Sequence, residues 1–147
     1  MYMIKLIINF VFTGVLLCGG CSIGLSDRSL SFLTPEGVSI LLSENAGTLL
    51  DANAGVVIVD PRPTWSYGQG HIPRAMNIPF GQLNAHVWKL DGASIIVVAG
   101  ETHNDSVAIA MSKRLIKLGF SDVRTLRGGL TGWDDAGNAV VATDKVN

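Results

Sequence analysis

The sequence is nearly devoid of cysteine. Its only two, Cys18 and Cys21, close an apolar run at the N-terminus. If that run is a secretion signal, the folded part of the chain has no free thiol, and thiol chemistry would need a thiol from outside. The chain also lacks a surplus of either charge. Eleven Lys and Arg against twelve Asp and Glu leave a formal net charge of -1, so there is no electrostatic footprint for nucleic acid. There is no long run of like charge, no internal repeat, no low-complexity tract and no linker that would split a domain. What remains is a chain of 147 residues, 48% hydrophobic. That suits one domain behind a targeting segment, with enough apolar residues to bury one core.

Lys5 is the only charge before Asp27, and Leu6 to Leu17 is almost wholly apolar, interrupted by Asn9 and Thr13. Then comes Cys18-Gly19-Gly20-Cys21-Ser22. A positive start, a short apolar core and small residues at the end make a secretory signal. The pair Gly19-Gly20 before Cys21 resembles the lipobox of bacterial lipoproteins, with Cys18 where leucine is usual. That resemblance implies cleavage before Cys21 and acylation of its sulfur, and the second acyl signal that stable anchoring requires. Two other readings stay open: an ordinary cleaved signal, and an uncleaved helix from Ile4 to Leu25, just long enough for a bilayer that needs about 20 residues but weakened by four glycines. Ser22 lacks the aspartate that favours inner-membrane retention in such lipoproteins, which leans towards the outer membrane, facing the periplasm. The expected organisation is a signal peptide over 1–20, a tether over 21–29 and a domain over 30–140.

Within the domain, Thr34-Pro35-Glu36 opens a helix with a capping hydroxyl, a proline in the first turn and an acid at the positive dipole end. Ile40, Leu41 and Leu42 are expected to form its buried face, and Asn45-Ala46-Gly47 its end. Val56 to Val59 is a β-branched run suited to a strand buried on both faces, ended by Pro61 and Pro63. Ala75 to Ile78 is a shorter strand. Phe80 to Leu90 reads as a helix with Leu83, Val87, Trp88 and Leu90 inward. Ser94 to Ala99 is a second buried strand, Ser106 to Leu118 an amphipathic helix capped by Asn104 or Asp105 and followed by Gly119, and Val123 to Leu126 a last strand. Such alternation predicts a parallel α/β sheet. Sites in these sheets lie at the carboxyl ends of the strands, which puts residues 60–63 and 100–105 on one rim.

Three segments carry a family resemblance. Asp60-Pro61-Arg62, Trp65-Ser66-Tyr67 and Gly70-His71-Ile72-Pro73-Arg74-Ala75-Met76-Asn77-Ile78-Pro79 follow, without a gap, the Asp-x-Arg, Glu-Tyr and Gly-His-Ile-Pro-Gly-Ala-x-Asn-Ile-Pro pattern of the rhodanese homology domain. Leu118-Gly119-Phe120, Val123, Leu126-Arg127-Gly128-Gly129-Leu130 and Trp133 match its C-terminal pattern. The resemblance spans roughly Leu30 to Ala136. It implies a five-stranded parallel sheet with helices on both faces. It also implies a strand, Ile95 to Ala99, that delivers a cysteine into a loop of the form Arg-Ser-Gly-x-Arg-Ser, whose backbone N–H groups point at the sulfur. The family passes sulfane sulfur through a cysteine persulfide to an acceptor such as cyanide or a thiol.

On that alignment Gly100 stands at the cysteine. Glu101 and Asp105 fall at the two arginines, His103 at the glycine, and Ser106 alone is retained. The degenerate loop is Gly100, Glu101, Thr102, His103, Asn104 and Asp105. Glycine supplies no nucleophile. Two carboxylates for two cations would repel an anion from a nest of N–H groups and raise the pKa of any thiol placed there.

Asp60, Arg62 and His71 are read as structural rim residues, the aspartate holding neighbouring loops by hydrogen bonds. Gly128, Gly129 and Trp133 are read as turn and packing residues. Glu101, His103 and Asp105 include a metal-ligand set, and His103 with Asp105 has the composition of a general base and its orienter. A solvated loop and a recognition surface are the competing readings.

The expected protein is therefore a catalytically inactive rhodanese-like lipoprotein, lipid-anchored in the bacterial cell envelope. It would act as an interaction module with an envelope protein partner, and no cofactor or metal is expected. The alternatives are a sulfurtransferase-type enzyme with an altered loop, and a structural envelope lipoprotein.

Overall fold

The structure, a computed structural model, describes residues 26–45 and 55–143. The apolar run, Cys21, most of the tether and residues 46 and 47 of the expected helix end lie outside the described residues. Among those described, no helix is long and apolar enough to cross a membrane.

Five strands form one all-parallel sheet: β1 (Ser31–Leu33), β2 (Val56–Asp60), β3 (Met76–Asn77), β4 (Ile95–Val98) and β5 (Val123–Leu126). Their order across the sheet is β1-β5-β4-β2-β3. The two β-branched runs lie side by side at its centre, Val56 opposite Ile95 and Val59 opposite Val98. Alternation along the central strands divides the core in two. Val59, Ile96 and Val98 face Leu83, Met111 and Leu115 on one side. Ile58, Val97 and Ala99 face Val38, Ile72 and Trp133 on the other. Helices thus cover both faces: α3 (Leu83–His86) and α4 (Ser106–Lys117) on the first, α1 (Pro35–Glu44) and α5 (Gly129–Asp135) on the second.

The Thr34 hydroxyl caps α1 by accepting from the Gly37 N–H. Its buried residue is Val38, with Leu41 and Leu42 packed beside it, whereas Ile40 is 58% exposed. Val38, Leu41 and Leu42 sit at i, i+3 and i+4, and Ile40, two positions from Val38, falls on the far side of the helix.

The segment from Phe80 to Leu90 is not one helix. A single α-turn, α3, lies between 3₁₀ turns at Phe80–Gln82 and Val87–Leu90. Leu83 and Leu90 are buried as expected, but Trp88 points outward at 63% exposure, one residue off the stripe formed by Leu83, Val87 and Leu90. The Lys89 ammonium lies 5.9 Å from its ring centroid. Three further elements carry no periodicity that sequence reading registered: the three-residue edge strand β1, the short helix α2 (Thr64–Gln69) after Pro63, and α5. Each is too short to display a period.

Candidate functional site

The rim at the carboxyl ends of β2 and β4 brings Asp60, Arg62 and the 100–105 loop together. Asp60 ends β2, and the chain turns back so that its Oδ1 accepts from the backbone N–H of Arg62 at 3.0 Å. The Arg62 guanidinium folds over the same carboxylate. Its Nε donates to Oδ1 at 3.0 Å and Oδ2 at 3.1 Å, and its Nη2 donates to Oδ2 at 2.7 Å. The other guanidinium edge binds the Gly70 carbonyl, also through Nη2, and Glu101 Oε2 through Nη1, both at 2.6 Å. Arg62 is 5% exposed. Burial alone would depress its pKa, but hydrogen bonds and charge from Asp60 and Glu101 outweigh that and raise it. Asn77 Nδ2 ties the same turn together by donating to the Asp60 and Arg62 carbonyls. Asp60 and Arg62 therefore act as a buried clamp between β2, the turn before His71 and the loop after β4.

His71 is buried and makes structural contacts. Its ring stacks on Tyr67 with centroids 3.7 Å apart, its Nδ1 lies 3.0 Å from the Tyr67 carbonyl, and its backbone pairs with Val141. The Tyr67 hydroxyl donates to the Ala75 carbonyl, and burial first, then the Asp60 charge, raises its pKa. Arg74 adopts φ 68, a left-handed backbone that costs a side-chain-bearing residue roughly 1–2 kcal/mol, at the position where the pattern has glycine.

The loop's two carboxylates do not stand side by side as open repulsive charges. The exposed Glu101 turns outward to Arg62, with Ser66 Oγ 3.4 Å away. Asp105 turns inward. Its Oδ2 accepts from the Glu101 N–H at 2.7 Å, and its Oδ1 accepts from the Val107 and Ala108 N–H groups at 2.8 and 3.2 Å. The last two make it the N-cap of α4. Asn104, at φ 58, reverses the chain just before it. Asp105 is thus both cap and occupant: its carboxylate holds the N–H groups that an external anion would need.

Gly100 is what makes room for this. A Cβ on Gly100 would lie 2.5 Å from Asp105 Oδ2 and 2.8 Å from the Ala108 Cβ. From the other side the loop is braced by α5: Leu130 and Thr131 N–H groups donate to the Gly100 and Glu101 carbonyls. Gly129, at φ 59, approaches so closely that a Cβ would meet the Gly100 carbonyl oxygen at 2.7 Å. Among the described residues no three His, Cys, Asp or Glu side chains form a group that could hold a metal. Glu101 and Asp105 point to different partners, so the candidate set around His103 does not converge. For the same reason Asp105 does not orient His103.

This geometry changes the expected outcome of restoring a cysteine. Sequence alone points to charge as the obstacle, whereas the structure puts sterics first. Gly100→Cys is expected to be overpacked, losing about 1–3 kcal/mol of stability. Asp105 can swing away only by abandoning its cap, worth about 1 kcal/mol, and the Ala108 methyl is fixed on α4. Gly100→Cys with Asp105→Ala should therefore lose less than the sum of the single changes. A Gly100→Cys variant as stable as wild type in urea denaturation would show that the space is not filled.

An all-parallel five-stranded sheet, with this loop leaving its central strand, defines a rhodanese-type α/β fold. The chain belongs to the rhodanese-like domain family, which matches residues 44–136, a family of general sulfurtransferase type. A protein of Bacillus halodurans is similar in structure at TM-score 0.63 and 22% identity, over 79% of this chain and 80% of that one. A rhodanese-like domain from Anabaena sp. is similar at TM-score 0.62 and 23% identity, over 79% and 83%. A thiosulfate sulfurtransferase from Pseudomonas aeruginosa is 26% identical at TM-score 0.64; the match covers 81% of this chain but 21% of that protein. No curated protein matches the chain.

Proposed function

We propose that this chain is a non-catalytic rhodanese-like module that acts by binding, held at a bacterial envelope membrane through a lipid on Cys21. The observation that carries the reading is the Asp105 carboxylate in the loop nest, lodged in the space that opens where Gly100 has no side chain. A sulfur carrier needs a thiolate there and an unoccupied set of N–H donors to steady its charge. This chain has an internal carboxylate on those donors and no cysteine after Cys21.

The deciding experiment is thiocyanate formation from thiosulfate or 3-mercaptopyruvate with cyanide. The purified protein is expected to show no rate above a heat-inactivated control. Turnover that survives repurification would overturn the reading. The anchor has its own test: the intact mass of the mature protein should begin at an acylated Cys21, and a mass that retains Met1 or an unmodified Cys21 would remove the anchor.

A further inference from the structure

A cavity of about 220 Å³ opens away from the loop, on the sheet face covered by α1 and α5. Val56 and Ile58 line it from the amino-terminal half of β2, Leu42 from α1 and Trp133 from α5. The loop leaves the sheet at the other end, and none of residues 100–105 lines this cavity, nor does Asp60 or Arg62. It is therefore separate from the position of the family's nucleophile.

Val56, Ile58, Ile72 and Trp133 are buried apolar walls. The Trp133 indole N–H is already given to the Ala139 carbonyl, so the part of a ligand that enters must be apolar. An apolar cavity of about 150 Å³ takes up benzene. This one suits an aromatic ring on a short chain, or an alkyl chain of similar bulk.

One lining side chain is charged. Arg74 is exposed at the edge of the cavity, and among the described residues no carboxylate ion-pairs with it; the ion pairs found engage Arg62, Lys113 and Arg124. Its backbone is strained. Ile72-Pro73-Arg74-Ala75 is a tight turn, closed by the Ala75 N–H on the Ile72 carbonyl at 3.0 Å, with Arg74 at φ 68. With proline second, a turn that needs positive φ third ordinarily takes glycine or asparagine there. Strain of this kind persists only where the surroundings over-determine it, and it clusters at ligand clamps. Here it sets a cation beside an otherwise apolar hollow. A guanidinium fork matches one carboxylate. A phosphate carries nearly two charges, and no second cation lines the cavity to meet them.

We infer that this cavity binds a small apolar monocarboxylic acid, its hydrocarbon part against Ile58 and Trp133 and its carboxylate on Arg74. The inference goes beyond the loop reading and does not depend on it.

The test is a titration of the full chain in lipid nanodiscs, free of competing detergent tails, with 3-phenylpropanoate and separately with octanoate, followed by methyl and indole chemical shifts. Saturable shifts at Val56, Ile58, Ile72 and the Trp133 indole N–H are expected with at least one acid. That acid should bind about three- to fivefold more tightly than its own uncharged amide, the fold-change of an exposed ion pair. Arg74→Gly should weaken the acid by the same factor and leave the amide unchanged. It should also raise the urea midpoint, because glycine relieves the left-handed turn. Leu42→Trp, which crowds the cavity, should weaken acid and amide together. No saturation with either acid, an amide as tight as its acid, or equal binding of the acid by Arg74→Gly would overturn the inference. So would shifts at the same residues on raising the protein concentration alone, which would put a second copy in the cavity. Turnover in the sulfur-transfer assay with Arg74-dependent binding intact defeats only the non-catalytic reading, and no turnover without saturation defeats only this inference.

Discussion

Arg62→Ala is expected to destabilise the protein by about 3–5 kcal/mol, the range for removing one member of a buried ion pair. The side chains of Arg62 and Asp60 are 5% and 4% exposed. Alanine leaves the Asp60 carboxylate with one backbone N–H donor from residue 62 and strips the Gly70 carbonyl of its guanidinium partner. An ionised carboxylate without its cation in that setting is costly. Arg62→Lys should fall between, because a single ammonium cannot hold Asp60, Gly70 and Glu101 at once.

The outer arm of the clamp behaves differently. The Glu101 side chain is 50% exposed, so Glu101→Gln should cost no more than about 1 kcal/mol, as for other solvent-screened pairs. Urea denaturation followed by circular dichroism checks all three. Equal losses for Arg62→Ala and Glu101→Gln would mean that the clamp draws its strength from the loop and not from Asp60.

The second large effect is expected at Trp133. It is 5% exposed, packs in the cluster with Val38, Ile72 and Leu126, and donates its indole N–H to the Ala139 carbonyl at 2.8 Å. Trp133→Ala should cost about 3–5 kcal/mol, a large share of the roughly 5–15 kcal/mol that a domain has. His103→Ala, on the exposed loop, should stay within about 0.5 kcal/mol. Because α5 supplies the N–H groups that brace Gly100 and Glu101, Trp133→Ala should also loosen the loop, seen as faster amide exchange at Leu130 and Thr131. Unchanged exchange at those amides with the stability lost would separate the core role of Trp133 from its support of the loop.

The central strands and long helices were legible in the sequence because each repeats its pattern enough times to be seen. Val56 to Val59 and Ile95 to Val98 are unbroken β-branched runs, and α4 carries about three turns of amphipathic spacing with a capping aspartate. The elements that stayed hidden are those held by neighbours. The edge strand β1 exists because Ser31 to Leu33 find β5 beside them, and Trp88 faces solvent because it sits in the 3₁₀ turn Val87–Leu90, whose buried residue is Leu90.

The family pattern, the cysteine-free loop and the Asp60-Arg62 pair can be read directly from residue order. What the order does not show is direction. Glu101 and Asp105 are equivalent on paper, two acids on one short loop. In the fold one reaches outward to a buried guanidinium, and the other turns inward onto backbone N–H groups. Gly129, read as a turn residue, also lets α5 close on the loop, because a Cβ there would meet the Gly100 carbonyl oxygen at 2.7 Å. Residue order alone determined the family pattern, the sheet and a loop at residues 100–105 without cysteine, since these depend on residue type and local spacing. Tertiary structure decided which charges are satisfied and which remain available, since that depends on where strands β2, β4 and β5 place their ends relative to one another.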